Sequence, residues 1–92
     1  MTVLIDGATE DTSSSSIEAT GPIIVSMIGT MKNGMVRITA NLGSGEATAL
    51  TFSCNESVRI ARLEFASGVS FKAYLEGTSG DDTDVTVEYI DA

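Results

Sequence analysis

The chain has 92 residues and a formal net charge of −8 at pH 7, and it contains one cysteine and no histidine. A chain of this length forms one small domain that buries about 60% of its unfolded surface. A single cysteine excludes an internal disulfide framework and a cysteine-based zinc site. Without histidine the chain lacks the commonest general base and metal ligand, so we expect no ordinary enzyme and no cofactor. Its acidity predicts repulsion from phosphates and anionic lipid, so neither nucleic acid nor a membrane is an expected partner.

Residues 1–16 are predicted to form a flexible N-terminal arm, which precedes a domain over residues 17–92. The arm begins with an apolar run that is either an edge strand or part of a tail, and residues 6–16 have the serine-rich, acidic composition of a loop or disordered segment. An exposed strand is a template for pairing with another chain. We therefore expect the apolar run to contact a partner through Thr2, Val3, Leu4 and Ile5.

The most regular pattern lies in residues 23–42, IIVSMIGTMKNGMVRITANL. Asn33-Gly34 predicts a two-residue type I′ turn between two strands of one hairpin, because both central residues of that turn need positive φ. The turn would place Met31 opposite Val36 and Met27 opposite Ala40, and the face that carries these pairs is apolar.

Alternating residues predict further strands at residues 17–20, 47–54, 57–65, 69–76 and 84–90. In residues 57–65 the alternation changes phase, so we expect a bulge near Ala61 and Arg62 that turns Val58, Ile60, Leu63 and Phe65 toward the core. No segment shows a helical period. The sequence predicts an all-β domain, a single small antiparallel sandwich or barrel of six to seven strands with jelly-roll or immunoglobulin-like topology.

The motifs that could carry chemistry have simpler explanations. Cys54 is in phase with Leu50 and Phe52, which indicates a buried structural thiol. Asp81, Asp82 and Asp84 could offer oxygens to calcium, but their spacing fits no EF-hand loop and is typical of a solvated turn. Asn55-Glu56-Ser57 matches the glycosylation triplet and is interpreted as a hairpin turn. We expect no catalytic residue and no metal ligand.

The second face of the predicted hairpin mixes apolar side chains with one cation. Ile24, Ile28, Met35 and Arg37 lie on it, together with threonines. Arginine beside exposed isoleucine and methionine is typical of a protein interface. The alternative is that residues 17–20 or the N-terminal arm cover this face as a second layer, and the sequence leaves both open.

Two segments resemble a known class of proteins. The opening GPIIVSMIGTMKNGMVRITANLG and the closing VSFKAYLEGTSGDDTDVTVEYI, behind a short acidic arm, are similar to the small β-sandwich virion proteins of tailed bacteriophages. Capsid decoration or cement proteins are the nearest type, and the resemblance covers roughly residues 17–90. It implies a non-enzymatic structural protein, often a homotrimer, that binds the major capsid protein on the outer capsid surface and braces its subunits.

Two alternatives remain at this stage. The protein could be a neck, tail or fibre component of the same particle. It could also be a carbohydrate-binding β-sandwich of non-viral origin, although such modules present aromatic platforms and Tyr74 is the only aromatic residue predicted to face outward.

Overall fold

A computed structural model describes residues 1–53, 58–78 and 82–92. These residues form nine strands and no helix, arranged as two antiparallel sheets packed face to face. The predicted all-β sandwich is confirmed, with more strands than the six to seven expected. The strands are β1 (Thr2–Ala8), β2 (Thr12–Ser13), β3 (Ile17–Glu18), β4 (Ile23–Thr30), β5 (Met35–Asn41), β6 (Glu46–Ser53), β7 (Val58–Leu63), β8 (Ser70–Glu76) and β9 (Asp84–Asp91).

The strand order identifies the topology. Sheet A has the order β1-β9-β4-β7 and sheet B the order β2-β8-β5-β6, with β3 also paired to β8. Strands β2 and β3 lie end to end along β8, so they count as one interrupted strand. The eight strands that result have the order of a jelly roll, in which two Greek keys form two four-stranded sheets. Of the two topologies that the sequence left open, the jelly roll is the one observed.

The predicted β4–β5 hairpin is wrong. Strand β4 lies between β7 and β9 in sheet A, whereas β5 lies between β6 and β8 in sheet B, so the segment around Asn33-Gly34 crosses from one sheet to the other. Gly34 has φ of 100°, and a Cβ there would lie 2.4 Å from the carbonyl oxygen of Glu76. Glycine is therefore needed at this position, because the connection between β4 and β5 passes so close to the end of β8 that a side chain would not fit.

The inward and outward assignment of β4 and β5 is nevertheless correct. Val25 and Met27 of β4 and Val36 and Ile38 of β5 are buried. These two apolar rows face each other across the core, where the sequence had predicted them side by side. Alternation indicates only which side chains point inward. It fits two strands paired in one sheet and two strands that face each other from different sheets equally well.

The predicted bulge in β7 is also wrong. Strand β7 pairs with β4 without a register shift from Leu63, opposite Ile23, to Val58, opposite Ile28. Ile60 therefore lies opposite Ser26 and points outward. Phe65 follows the end of β7 and is buried without any bulge.

The first sixteen residues contribute strands to both sheets. β1 pairs with β9 as an edge strand, the first of the two interpretations of the apolar run, and β2 pairs with β8. The serine-rich stretch predicted as loop takes part in a strand ladder. The N–H of Ser14 donates to the carbonyl of Ala73 at 2.8 Å, and the N–H of Ala73 donates to the Ser14 hydroxyl at 2.9 Å.

The core lies between the two sheets and includes an aromatic cluster. Phe71 packs with its ring centroid 5.4 Å from that of Phe65, and it meets Tyr89 edge to face at 5.1 Å. Apolar side chains from both sheets complete it, including Ile5, Ile23, Phe52, Leu75, Val85 and Val87. A domain this small has few apolar residues for its core. Large apolar side chains that are nevertheless exposed on an outer face therefore indicate a candidate interaction site.

Candidate protein-binding surface

The outer face of sheet A carries large aliphatic side chains on all of the strands that cross it. Residues opposite each other in an antiparallel ladder share a face. Ile24 lies opposite Ile90, and Ser26 lies between Glu88 and Ile60. The exposed fractions are 49% for Val3, 50% for Ile28, 68% for Ile60 and 39% for Ile90, and Ile24 is half-buried. We call Val3, Ile24, Ile28, Ile60 and Ile90 the isoleucine face.

The polar groups of this face lie among and beside the isoleucines. Ser26 and Glu88 occupy its middle row, and Arg62 lies opposite Ile24 at the β7 edge. Arg62 forms an ion pair with Glu64, and both side chains are more than half exposed. An exposed pair of this kind contributes little to stability, so it can exchange for a contact with a partner. The face thus combines exposed aliphatic side chains with a polar middle row and a charged edge, and such a mixture is compatible with a protein interface, which as a whole is about as apolar as other protein surface.

The outer face of sheet B is different, because its polar side chains satisfy one another. The Arg37 guanidinium donates to Glu76 through Nε at 2.6 Å and through a terminal nitrogen at 3.3 Å, and it also donates to the Thr48 hydroxyl at 3.2 Å. The hydrogen bond from Arg37 is the main cause that lowers the pKa of Glu76. Arg37 is thus held by contacts within its own sheet.

Tyr74 is also engaged on this face. Its hydroxyl donates to the Glu46 carboxylate at 2.7 and 2.9 Å. The Arg37 guanidinium carbon lies 4.7 Å from the ring centroid and the Lys72 ammonium nitrogen lies 5.0 Å from it. A sugar that stacked on this ring would have to displace cation–π contacts already made.

The structure divides the predicted interface residues between two opposite surfaces. Val3, Ile24 and Ile28 come together on sheet A, whereas Met35 and Arg37 lie on the outer face of sheet B. The remaining three belong to β1, where Thr2 is exposed, Leu4 is half-buried and Ile5 is buried in the core. The division follows from the crossing between β4 and β5, which places the two strands in different sheets.

Sequence reasoning missed Ile60 and Ile90. The signal for Ile90 was present in the sequence, because Val85, Val87 and Tyr89 alternate as the apolar side of the strand predicted at residues 84–90 and Ile90 has the opposite parity. Ile60 was assigned to the core by the predicted bulge. Its outward direction follows only from the uninterrupted register with β4, which is a long-range property.

The two segments that the sequence offered as a covering layer lie elsewhere. Residues 17–18 form β3 in sheet B, and β1 lies beside β9 at the edge of sheet A. Within residues 1–53, 58–78 and 82–92, the isoleucine face therefore remains open to solvent at the fractions given above.

Acidic side chains do not converge in the part of the chain that the structure describes. Across these residues, no group of three or more histidine, cysteine, aspartate or glutamate side chains could hold a metal ion. Asp82 has φ of 56° and its carbonyl accepts a hydrogen bond from the Thr30 hydroxyl at 2.9 Å. Asp81, Cys54 and the triplet at residues 55–57 lie outside the described residues. Within the same limits, no helix could span a membrane.

Comparisons with protein-family models, with curated proteins and with solved structures find no match to this chain. The isoleucine face is therefore the feature from which a function can be argued.

Proposed function

We propose that the protein is a non-enzymatic structural protein that binds another protein through the isoleucine face, and that it does so as a decoration protein on the outer capsid surface of a tailed bacteriophage. The observation that carries the proposal is the cluster of Val3, Ile28, Ile60 and Ile90 on one sheet face, each at least 39% exposed. Several large aliphatic side chains exposed on one face of a small domain mark a candidate interaction site.

The energetics of this face suit adhesion. Burial of an exposed isoleucine side chain stabilises a complex by up to about 1.5–3 kcal/mol, and roughly half of that remains available for a side chain already half-buried. Several such residues give one copy a modest affinity. A homotrimer that engages several capsid subunits at once multiplies this affinity through effective concentration.

The fold is compatible with the resemblance found in the sequence. Jelly rolls are common among viral capsid proteins, and they also occur in lectins and cupins. A fold hosts many functions, so the partner is argued from the surface and the resemblance together. The net charge of −8 keeps the remaining surface soluble and repels nucleic acid, which suits a protein outside a filled capsid.

The test uses capsids assembled without the protein, to which purified protein is added. We expect co-sedimentation with the capsids and greater resistance of the decorated particles to heat. Ile28→Glu and Ile60→Glu, each of which places a charge in the isoleucine face, should weaken binding at least about tenfold. Thr51→Glu is the matched control, because Thr51 is exposed on the outer face of sheet B and should bind as the wild type does.

Two results would count against the proposal. Absence of wild-type binding to capsids would reject the capsid as the partner. Equal binding by the Ile28→Glu, Ile60→Glu and Thr51→Glu variants would reject the isoleucine face. Binding restricted to one vertex or to the tail would instead identify a neck, tail or fibre component.

A further inference from the structure

The sandwich has four strand edges, and three of them are interrupted. β1 has two register shifts in its pairing with β9, and β6 has one in its pairing with β5. The fourth strand position of sheet B is divided into the two-residue strands β2 and β3. Bulges and short strands of this kind keep an edge from pairing with other chains.

β7 is the regular edge. It makes six consecutive pairs with β4 and no register shift, and among the described residues it pairs with no other strand. Since every second residue of an edge strand directs its N–H and C=O away from the sheet, β7 presents a straight template for one more strand. Arg59, Ile60 and Arg62 are exposed along it.

The charge of β7 is opposite to that of the chain. Its sequence VRIARL carries two arginines and no acid, within a chain of net charge −8. The ion pair between Arg62 and Glu64, just beyond the strand, is exposed, so an incoming carboxylate can replace it. A second copy that paired through its own β7 would bring the same two arginines to the new ladder. Like charges on neighbouring strands repel each other, so the charge pattern disfavours a second copy and favours an acidic strand.

The two arginines lie on opposite sides of the strand. Arg62 is paired with Ile24 and belongs to the outer face, whereas Arg59 is paired with buried Met27 on the core side, where its guanidinium carbon lies 5.9 Å from the Phe52 ring centroid. Between them Ile60 points outward and Ala61 points toward the core. A strand that paired with β7 would face a cation, two apolar residues and a second cation in order, namely Arg59, Ile60, Ala61 and Arg62.

We infer that β7 binds an extended acidic segment of another protein by adding it to sheet A as a fifth strand. The segment carries two acidic residues separated by two apolar residues, which places a carboxylate opposite each arginine. One apolar residue extends the isoleucine face next to Ile60, and the other lies over Ala61 at the open side of the core. This inference stands independently of whether the capsid is the partner of the isoleucine face.

The test uses a synthetic peptide of about ten residues with Glu-Val-Val-Glu at its centre. We expect it to bind the 92-residue protein, and we expect amide hydrogen exchange to slow in residues 58–63 when it is present. Arg62→Glu should weaken binding about tenfold, and a peptide with lysine in place of the facing glutamate should restore binding to this variant. Lys72→Glu is the matched control, because it makes the same charge change on the outer face of sheet B and should leave binding unchanged.

Three results would overturn the inference: no binding up to about 1 mM peptide, equal binding by Arg62→Glu and wild type, or slowed exchange that lies outside β7. Ile28→Glu separates this inference from the proposed function. Ile28 lies on β4, one strand in from the edge and opposite Val58, so it does not adjoin the added strand, and the variant should lose capsid binding and keep peptide binding.

Discussion

Ile24 on β4 lies directly opposite Ile90 on β9, and both side chains project from the outer face of sheet A. A cross-strand pair of this kind normally stabilises a sheet where a second layer covers it. Here the second layer, sheet B, lies on the other side of the pair. The pair therefore belongs to an outer surface that is suited to a partner.

Residues of the isoleucine face should matter for binding and little for folding. Ile28→Thr keeps a β-branched side chain in the strand, so we expect the free energy of unfolding to change by no more than about 0.5 kcal/mol. Met27→Ala, at the adjacent buried position, should cost about 2–5 kcal/mol because it leaves a cavity. Urea denaturation of both variants checks this, and a large loss of stability in Ile28→Thr would show that Ile28 belongs to the core.

Gly29 should be essential for the contact between β4 and β9. It has φ of 136°, and a Cβ there would lie 1.8 Å from the carbonyl oxygen of Asp84. Gly29→Ala must displace β9 backbone, so we expect a loss of at least about 3 kcal/mol in the free energy of unfolding.

Gly43→Ala is the control for this effect. Gly43 also has positive φ, 103°, but an added Cβ meets nothing within 4 Å. It should therefore cost only about 1–2 kcal/mol of backbone strain. Equal losses at both glycines, measured by thermal or urea unfolding, would contradict the close approach of β4 to β9.

Asp11 should anchor the N-terminal segment in a pH-dependent way. The Thr78 hydroxyl is the largest cause that lowers the pKa of this carboxyl, and the N–H groups of Thr78 and Gly77 add to it at 2.9 and 3.1 Å. Because the folded-state pKa is depressed, the contribution is fully present above the unfolded value near 3.8 and is lost as pH falls through the lower folded value.

Amide exchange at Gly77 and Thr78 measures this anchor. We expect Asp11→Ala to accelerate exchange at both amides at neutral pH, because their acceptor is removed. In the wild type, protection of these amides relative to their intrinsic exchange rate should be lost only in acid. Unchanged exchange in Asp11→Ala would show that Asp11 does not hold these groups.

Thr39 offers a test of packing on sheet B. It is 1% exposed, and its hydroxyl has no hydrogen-bond partner among the described residues. Thr39→Val replaces the hydroxyl with a methyl group of similar shape, so we expect stability to stay level or to rise by about 1 kcal/mol. A loss of more than about 1 kcal/mol on urea denaturation would indicate a hydrogen bond made by the hydroxyl.

Local pattern predicted the direction of most side chains, and it did not predict the strand partners. Alternation placed Val25, Met27, Val36 and Ile38 inward correctly, because successive side chains point to opposite faces within any one strand, whatever its partners. The Asn33-Gly34 signal was assigned to a hairpin, yet whether two strands pair or face each other across a core depends on contacts distant in sequence.

The candidate surface could be only partly predicted for the same reason. Ile24 and Ile28 were placed outward from their own strand, while Ile60 required the register between β7 and β4. The ladder at Ser14 was hidden too, since a side-chain hydroxyl there accepts the bond that a backbone carbonyl usually accepts. Composition alone assigns such a segment to a loop.

Electron cryomicroscopy of phage capsids incubated with the protein examines the proposed capsid contact at the level of single residues. We expect density for this protein on the outer capsid surface, with the strands of sheet A against the capsid and Ile28 and Ile60 at the contact. A map in which the isoleucine face points into solvent while another surface meets the capsid would contradict it.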